Sequence, residues 1–248
     1  MVLNYTVSGD DMQIIELLLS KGEAVRCEVG SMVYMDPAIS METSTGGGLW
    51  KGFKRMLSGD HFFITTFTNT TSKKGQIAFG AAYPGKIIPL DLSKVQGEFL
   101  CQRDSFLCAE KSIDISMEFV KRFGVGFFGG EGFILQKLTG EGLVFLHAGG
   151  FVIKKELKKG EMLKVDTGCV VGFERSVDYN IQFVGGFKNS LFGGEGLFFV
   201  TLTGPGIVYL QSLPLSRLAD RIVAASHKSS EEHKGVFGVL GDVISGDK

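Results

Sequence analysis

Three stretches decide the fold: Gly22–Asp36 (GEAVRCEVGSMVYMD), Gly97–Lys111 (GEFLCQRDSFLCAEK) and Gly160–Glu174 (GEMLKVDTGCVVGFE). Each opens on Gly-Glu and continues with apolar residues in near-alternation, the two-residue period of a strand with one face buried. A second marker keeps step with the first. It reads Ser58-Gly59-Asp60-His61-Phe62-Phe63, then Gly129-Gly130-Glu131-Gly132-Phe133-Ile134, then Gly193-Gly194-Glu195-Gly196-Leu197-Phe198. Its acidic residue falls 38, 34 and 35 positions after the first glycine of its copy. Two features recurring in phase three times mark an internal repeat.

After the second marker each copy carries two more runs of β-branched and aromatic residues: FFITTF then QIAFGAAY, FILQKL then LVFLHAGG, LFFVTL then IVYLQSL. Thr139-Gly140-Glu141-Gly142 and Thr203-Gly204-Pro205-Gly206 separate the later pairs, so each pair is expected to form a tight hairpin with glycine at its positive-φ positions. The first copy has the longer connection Asn69–Gly75. Helical spacing is weak, confined to Leu215–Ala225 and a tail in which Val236, Phe237, Val239, Leu240, Val243 and Ile244 recur. The 35 glycines among 248 residues, with 5 prolines and no Gly-X-Y period, suit a turn-rich β protein. The reading is all-β: three β-sandwich lobes at 1–96, 97–159 and 160–223 forming one unit, followed by a polar linker and short apolar tail at 224–248.

The net charge of −1 and pI near 6.4 give no global field to draw nucleic acid or an anionic surface. A nucleic-acid partner is therefore not expected. No apolar run reaches bilayer length, and the N-terminus lacks a basic-then-apolar leader, so the expectation is a cytoplasmic protein. Cys27, Cys101, Cys108 and Cys169 show no C-x-x-C and no zinc-type histidine spacing, and read as buried reduced thiols.

SMVYMDPAISMET (31–43), AAYPGKIIPLDL (81–92), VDYNIQFVGG (177–186), LFGGEGLFFVTLTGPG (191–206) and LQSLPLSRLADRI (210–222) resemble the family named for altered inheritance of mitochondria in yeast, which has bacterial and archaeal members. The resemblance spans roughly Leu3 to Val223. It implies a fold related to the trp RNA-binding attenuation protein, with three repeated β-sandwich or double-stranded β-helix lobes in a pseudo-threefold arrangement within one chain. It implies no established enzymatic activity, and no site residue is carried over from it.

Chemistry-bearing motifs are sparse. Gly124-x-Gly126-x-x-Gly129 matches the dinucleotide fingerprint in letters, but a strand follows it where a helix is needed. Asp60, Glu131 and Glu195 could converge on a metal only if the lobes brought them together; a carboxylate between glycines before a strand is ordinarily a solvated turn residue. The histidines (His61, His147, His227, His233) form no H-x-H pair, and no nucleophile elbow or phosphate-binding loop is present. No catalytic residue, cofactor or metal is assigned.

The interaction candidates lie in three glycine-rich, aromatic segments at equivalent places in the copies. Leu49–Leu57 (LWKGFKRML) sets Trp50 and Phe53 at helical spacing among Lys51, Lys54 and Arg55, a small basic amphipathic element suited to an anionic interface. Phe127 and Phe128 occupy the second segment, and Phe187, Leu191 and Phe192 the third. Gathered at one end, they would form an apolar contact patch. The functional expectation is a self-associating, non-enzymatic scaffold or assembly protein touching a membrane surface, at the inner face of the membrane, or a protein partner. The alternatives are a small-molecule or RNA-binding module and an enzyme with an unfamiliar site.

Overall fold

The computed structural model describes residues 3–28, 30–44, 64–121, 133–183 and 198–225. In chain order the strands are β1 (Asn4–Ser8), β2 (Ile14–Leu19), β3 (Ala24–Glu28), β4 (Met32–Met35), β5 (Ile39–Ser44), β6 (Ile64–Asn69), β7 (Gly75–Gly80), β8 (Gly85–Asp91), β9 (Glu98–Gln102) and β10 (Phe106–Glu110). They continue with β11 (Asp114–Lys121), β12 (Phe133–Thr139), β13 (Leu143–Gly149), β14 (Val152–Leu157), β15 (Met162–Asp166), β16 (Val170–Glu174), β17 (Asp178–Phe183), β18 (Phe198–Thr203) and β19 (Gly206–Gln211). A helix, α1, spans 215–225, where the spacing of Leu215–Ala225 predicts one. Among the described residues the fold is all-β apart from this segment and short 3-10 turns.

The strands form four antiparallel sheets: β1-β2-β7-β4, β5-β6-β3-β10-β13-β8, β11-β12-β9-β16-β19-β14 and β15-β18-β17. Three apolar clusters lie between successive sheets. Ile15, Leu17, Ile77 and Phe79 of the first sheet meet Val25, Phe67 and Phe145 of the second. Val144, Leu146 and Ala148 on the opposite side of β13 meet Phe99, Cys101 and Val171 of the third. Leu100, Phe173 and Val208 of the third then meet Val165, Val200 and Leu202 of the fourth. The molecule is thus a stack of four β layers, and the sequence shows which are inner. The outer strand β2 alternates half-buried and buried residues (IIELLL), whereas β13, covered on both faces, is buried throughout (LVFLHAG).

The expected hairpins are not paired as such. β6 lies in the second sheet and β7 in the first; β12 and β13, and likewise β18 and β19, also belong to different sheets. The strands form where expected, but the short connections turn corners between layers. Gly142 (φ +138°) and Gly206 (φ +143°) take positive φ at these corners. Glycine is needed there whether the next strand pairs back or crosses over, so turn chemistry cannot tell the two apart. Besides the β1/β2 hairpin at the N-terminus, the hairpins are β5/β6, β11/β12 and β17/β18, joined by the long segments.

Candidate functional site

The Gly-Glu markers are turns. Gly22, Gly97 and Gly160 have φ of +80°, +73° and +78°, a region that residues with a Cβ enter only with strain. The Gly22 and Gly160 N–H groups donate to Asn69 O at 2.8 Å and Gly204 O at 3.1 Å. The glutamates close the same turns: Glu23 Oε2 accepts from the Ser20 N–H at 2.6 Å and Glu161 Oε2 from the Lys158 N–H at 2.9 Å. These carboxylates serve the backbone.

A second set of carboxylates, which the sequence analysis passed over, holds the corners. Asp36 Oδ2 accepts from the Gln76 N–H at 2.8 Å, Glu110 Oε1 from the Leu143 N–H at 3.0 Å and Glu174 Oε2 from the Ile207 N–H at 3.0 Å. Each links the end of one strand to the start of another in the same sheet. The signal was present, because an acidic residue follows the apolar run in MVYMD, FLCAE and VVGFE.

The long segments leave from matching places. β5 and β6 remain in register to Ser44 and Ile64, β11 and β12 to Lys121 and Phe133, and β17 and β18 to Phe183 and Phe198. In each case the pairing runs to the last described residue on both sides. Trp50, Lys51, Phe53, Lys54, Arg55, Phe127, Phe128, Phe187, Leu191 and Phe192 lie outside the described residues, as do Asp60, His61, Glu131, Glu195 and the tail beyond 225. What is placed is the roots of their loops, one hairpin in each of the second, third and fourth sheets.

Several buried titratable and polar groups sit within the sheets. His147 is buried, its ring edge-on to Tyr83 at a centroid distance of 4.5 Å, and burial pushes its pKa down to about 4. It is neutral near pH 7, and its Nδ1 is buried without a hydrogen-bond partner among the described residues. Gln211 is also buried. Its Oε1 accepts from the Gly149 N–H and its Nε2 donates to Gly168 O, both at 2.8 Å, tying β13 to the turn before β16. Cys27 and Cys108 face each other across β3 and β10. Cys27, Cys101 and Cys108 are buried, as expected, whereas Cys169 is half-buried. Burial pushes Cys27 up to about 11 and Cys101 and Cys108 well above the ordinary thiol range, so these three carry little thiolate. Among the described residues no three His, Cys, Asp or Glu side chains are grouped as metal ligands. None of their helices is long and apolar enough to cross a membrane.

Residues 5–213 match the family described as Mitochondrial biogenesis AIM24. A Streptococcus pyogenes serotype M6 protein described as uncharacterised is 33% identical over 214 residues, covering 83% of this chain and 84% of its own. The crystal structure of the Streptococcus pyogenes protein SPYM3_0169 superposes with a TM-score of 0.74 at 27% identity, over 90% of this chain and 99% of that one. A match across nearly all the described strands, joined by a likeness in fold, makes the conclusion direct: this chain belongs to the Mitochondrial biogenesis AIM24 family.

Proposed function

We propose that the protein is a non-enzymatic scaffold built of three repeated lobes that presents three aromatic, glycine-rich loops to an anionic membrane surface. The observation that carries this reading is the matching exit of the loops. The strand orders β5-β6-β3, β11-β12-β9 and β17-β18-β15 are the same unit three times, and so are β4-β7-β2, β10-β13-β8 and β16-β19-β14. In each unit the loop joins the same two strands, so lobes related by rotation about one axis send all three loops toward one end. Trp50 and Phe53 then supply apolar area, and Lys51, Lys54 and Arg55 contribute about 1 kcal/mol each near anionic head groups. The engagement of the corner carboxylates by backbone N–H groups and the burial of Cys27, Cys101 and Cys108 support a binding role over a catalytic one.

Flotation of the full chain with anionic and neutral vesicles at low and high salt tests the reading. Binding is expected to anionic vesicles only, weakened by salt, and lost in Trp50→Asp/Phe53→Asp. Absence of flotation under every condition would remove the membrane role and leave the loops to a protein partner.

A further inference from the structure

The second and third sheets each contain a seam where strands from successive Gly-Glu stretches meet: β3 pairs antiparallel with β10 in one, and β9 with β16 in the other. At the first seam Cys27 stands opposite Cys108, Arg26 opposite Ala109 and Val25 opposite Glu110. At the second, Cys101 stands opposite Gly172. The first seam thus sets thiol against thiol, and the kind of strand pair they occupy decides what the two sulfurs can do.

The Lys111 N–H donates to Ala24 O at 3.0 Å, one step beyond Val25/Glu110 in the same register, which makes 24/111 a hydrogen-bonded pair. Antiparallel pairs alternate between hydrogen-bonded and non-hydrogen-bonded. Arg26/Ala109 is therefore hydrogen-bonded, and Cys27/Cys108 is not. The other side of β3 agrees. The Asn69 N–H donates to Glu23 O at 3.1 Å, so residues 23, 25 and 27 turn their backbone groups toward β6, leaving 24 and 26 to β10. In a non-hydrogen-bonded pair the Cα atoms lie about 4.5 Å apart with the side chains close together, within the span of roughly 4.4–6.8 Å that a disulfide bridges. Cys27 and Cys108 are both buried in the apolar cluster between the first and second sheets, so their side chains share one face. Cys101 belongs to the cluster between the second and third sheets, and Cys169 borders the one between the third and fourth. Neither shares a layer with the pair.

We propose that Cys27 and Cys108 form a redox latch, which a small peroxide oxidises to a disulfide that fastens β3 to β10 with the strands left in register. Cys27 is the attacking group. The Ser31 hydroxyl beside it favours its thiolate against burial, whereas burial and the neighbouring Cys27 both act against a Cys108 thiolate. The Cys27 thiolate attacks one oxygen of hydrogen peroxide, breaking the O–O bond and giving a sulfenic acid and hydroxide, which takes up the proton Cys27 released. The Cys108 sulfur then attacks the sulfenic sulfur, and its proton leaves with the hydroxyl as water. Two thiols lose two electrons and two protons, and the peroxide becomes two waters. Burial pushes Cys27 up to about 11, so the first step is slow near pH 7. The finished disulfide is equally remote from soluble thiols. The latch therefore answers sustained oxidation and holds once closed. It depends on the β3/β10 register and not on the loops, so failure of vesicle binding leaves it standing.

The test is treatment of the full, folded chain with hydrogen peroxide at pH 7, 8 and 9, an acid quench, and peptide mapping by mass spectrometry. A Cys27–Cys108 cross-link within one chain is expected, lighter than the two thiols by two hydrogens, with Cys101 still a thiol. Its rate is expected to rise about tenfold per pH unit, because the thiolate fraction does so below the Cys27 value of about 11. Closing the chain between residues 27 and 108 restricts the unfolded state, so the oxidised protein is expected to unfold at a higher urea concentration than the reduced one. Reduction in denaturant followed by refolding should return the original midpoint. Cys27→Ala and Cys108→Ala are each expected to lose both the cross-link and the midpoint shift. The mapping uses the natural sequence, so it stands even where a variant folds poorly. Thiols that survive at both positions, a bridge to another cysteine or between two chains, oxidation to sulfinic acid with no cross-link, or a cross-link that leaves the midpoint unchanged would each overturn the proposal.

Discussion

His147 shows how burial converts a reactive residue type into a structural one. Its folded pKa near 4 lies below the value near 6.5 of an unfolded histidine. Between those pH values the unfolded chain binds a proton that the folded chain refuses. The histidine's contribution is therefore intact above pH 6.5, and about 3 kcal/mol is lost as pH falls through 4. Denaturant titrations at pH 7 and pH 5 are expected to show a smaller loss in His147→Phe than in wild type. Two glycines separate conformational from steric demand. At Gly22 an added Cβ would meet nothing within 4 Å, and Gly22→Ala is expected to lower stability by only about 1–2 kcal/mol through its φ of +80°. At Gly172 the Cβ would lie 2.5 Å from Phe99 Cε1 and 2.6 Å from Leu100 O, inside the β9/β16 seam. Gly172→Ala must part that seam, and its loss in a denaturant titration is expected to be the larger of the two.

Among the elements, the strands were legible and their pairing was not. Alternation identifies a half-buried strand such as β6 (ITTFTN), because residue period and burial period coincide. Sequence proximity then suggested β12 with β13 and β18 with β19, but each pair is split between layers. The long loops hid the real hairpins, since pairing across 45–63 cannot be inferred from turn residues. The corner carboxylates are what distinguish the arrangement. Glu110 joins β10 to β13, and Glu174 joins β16 to β19, each through a backbone N–H. Removing such an acceptor leaves a partly buried donor unsatisfied, so Glu174→Ala is expected to lower stability by about 1–3 kcal/mol in a denaturant titration. Arg217→Ala, which breaks a partly exposed ion pair to Asp166 between α1 and β15, is expected to cost about 1 kcal/mol.

Across the whole molecule the shared sheets couple the layers. β13 gives Phe145 to the cluster on one side and Val144 and Leu146 to the cluster on the other, so neither layer contact can be lost without disturbing the next. Phe145→Ala in one cluster and Leu202→Ala in another are each expected to cost several kcal/mol, and in calorimetry both should lower one common transition. Two separate transitions would show that the layers unfold independently. The sequence by itself determined the all-β class, the positions of the strands, the burial of three of the four thiols and the family, because alternation, composition and local turn chemistry are short-range properties. It also singled out the aromatic segments as candidates for contact. Only the tertiary structure decided which strands pair, that the sheets stack in four layers, and that among the described strands β4 and β15 pair on one side alone. Those are properties of sheet edges, and an edge is fixed by what lies beside a strand in space, at separations along the chain that no local pattern records.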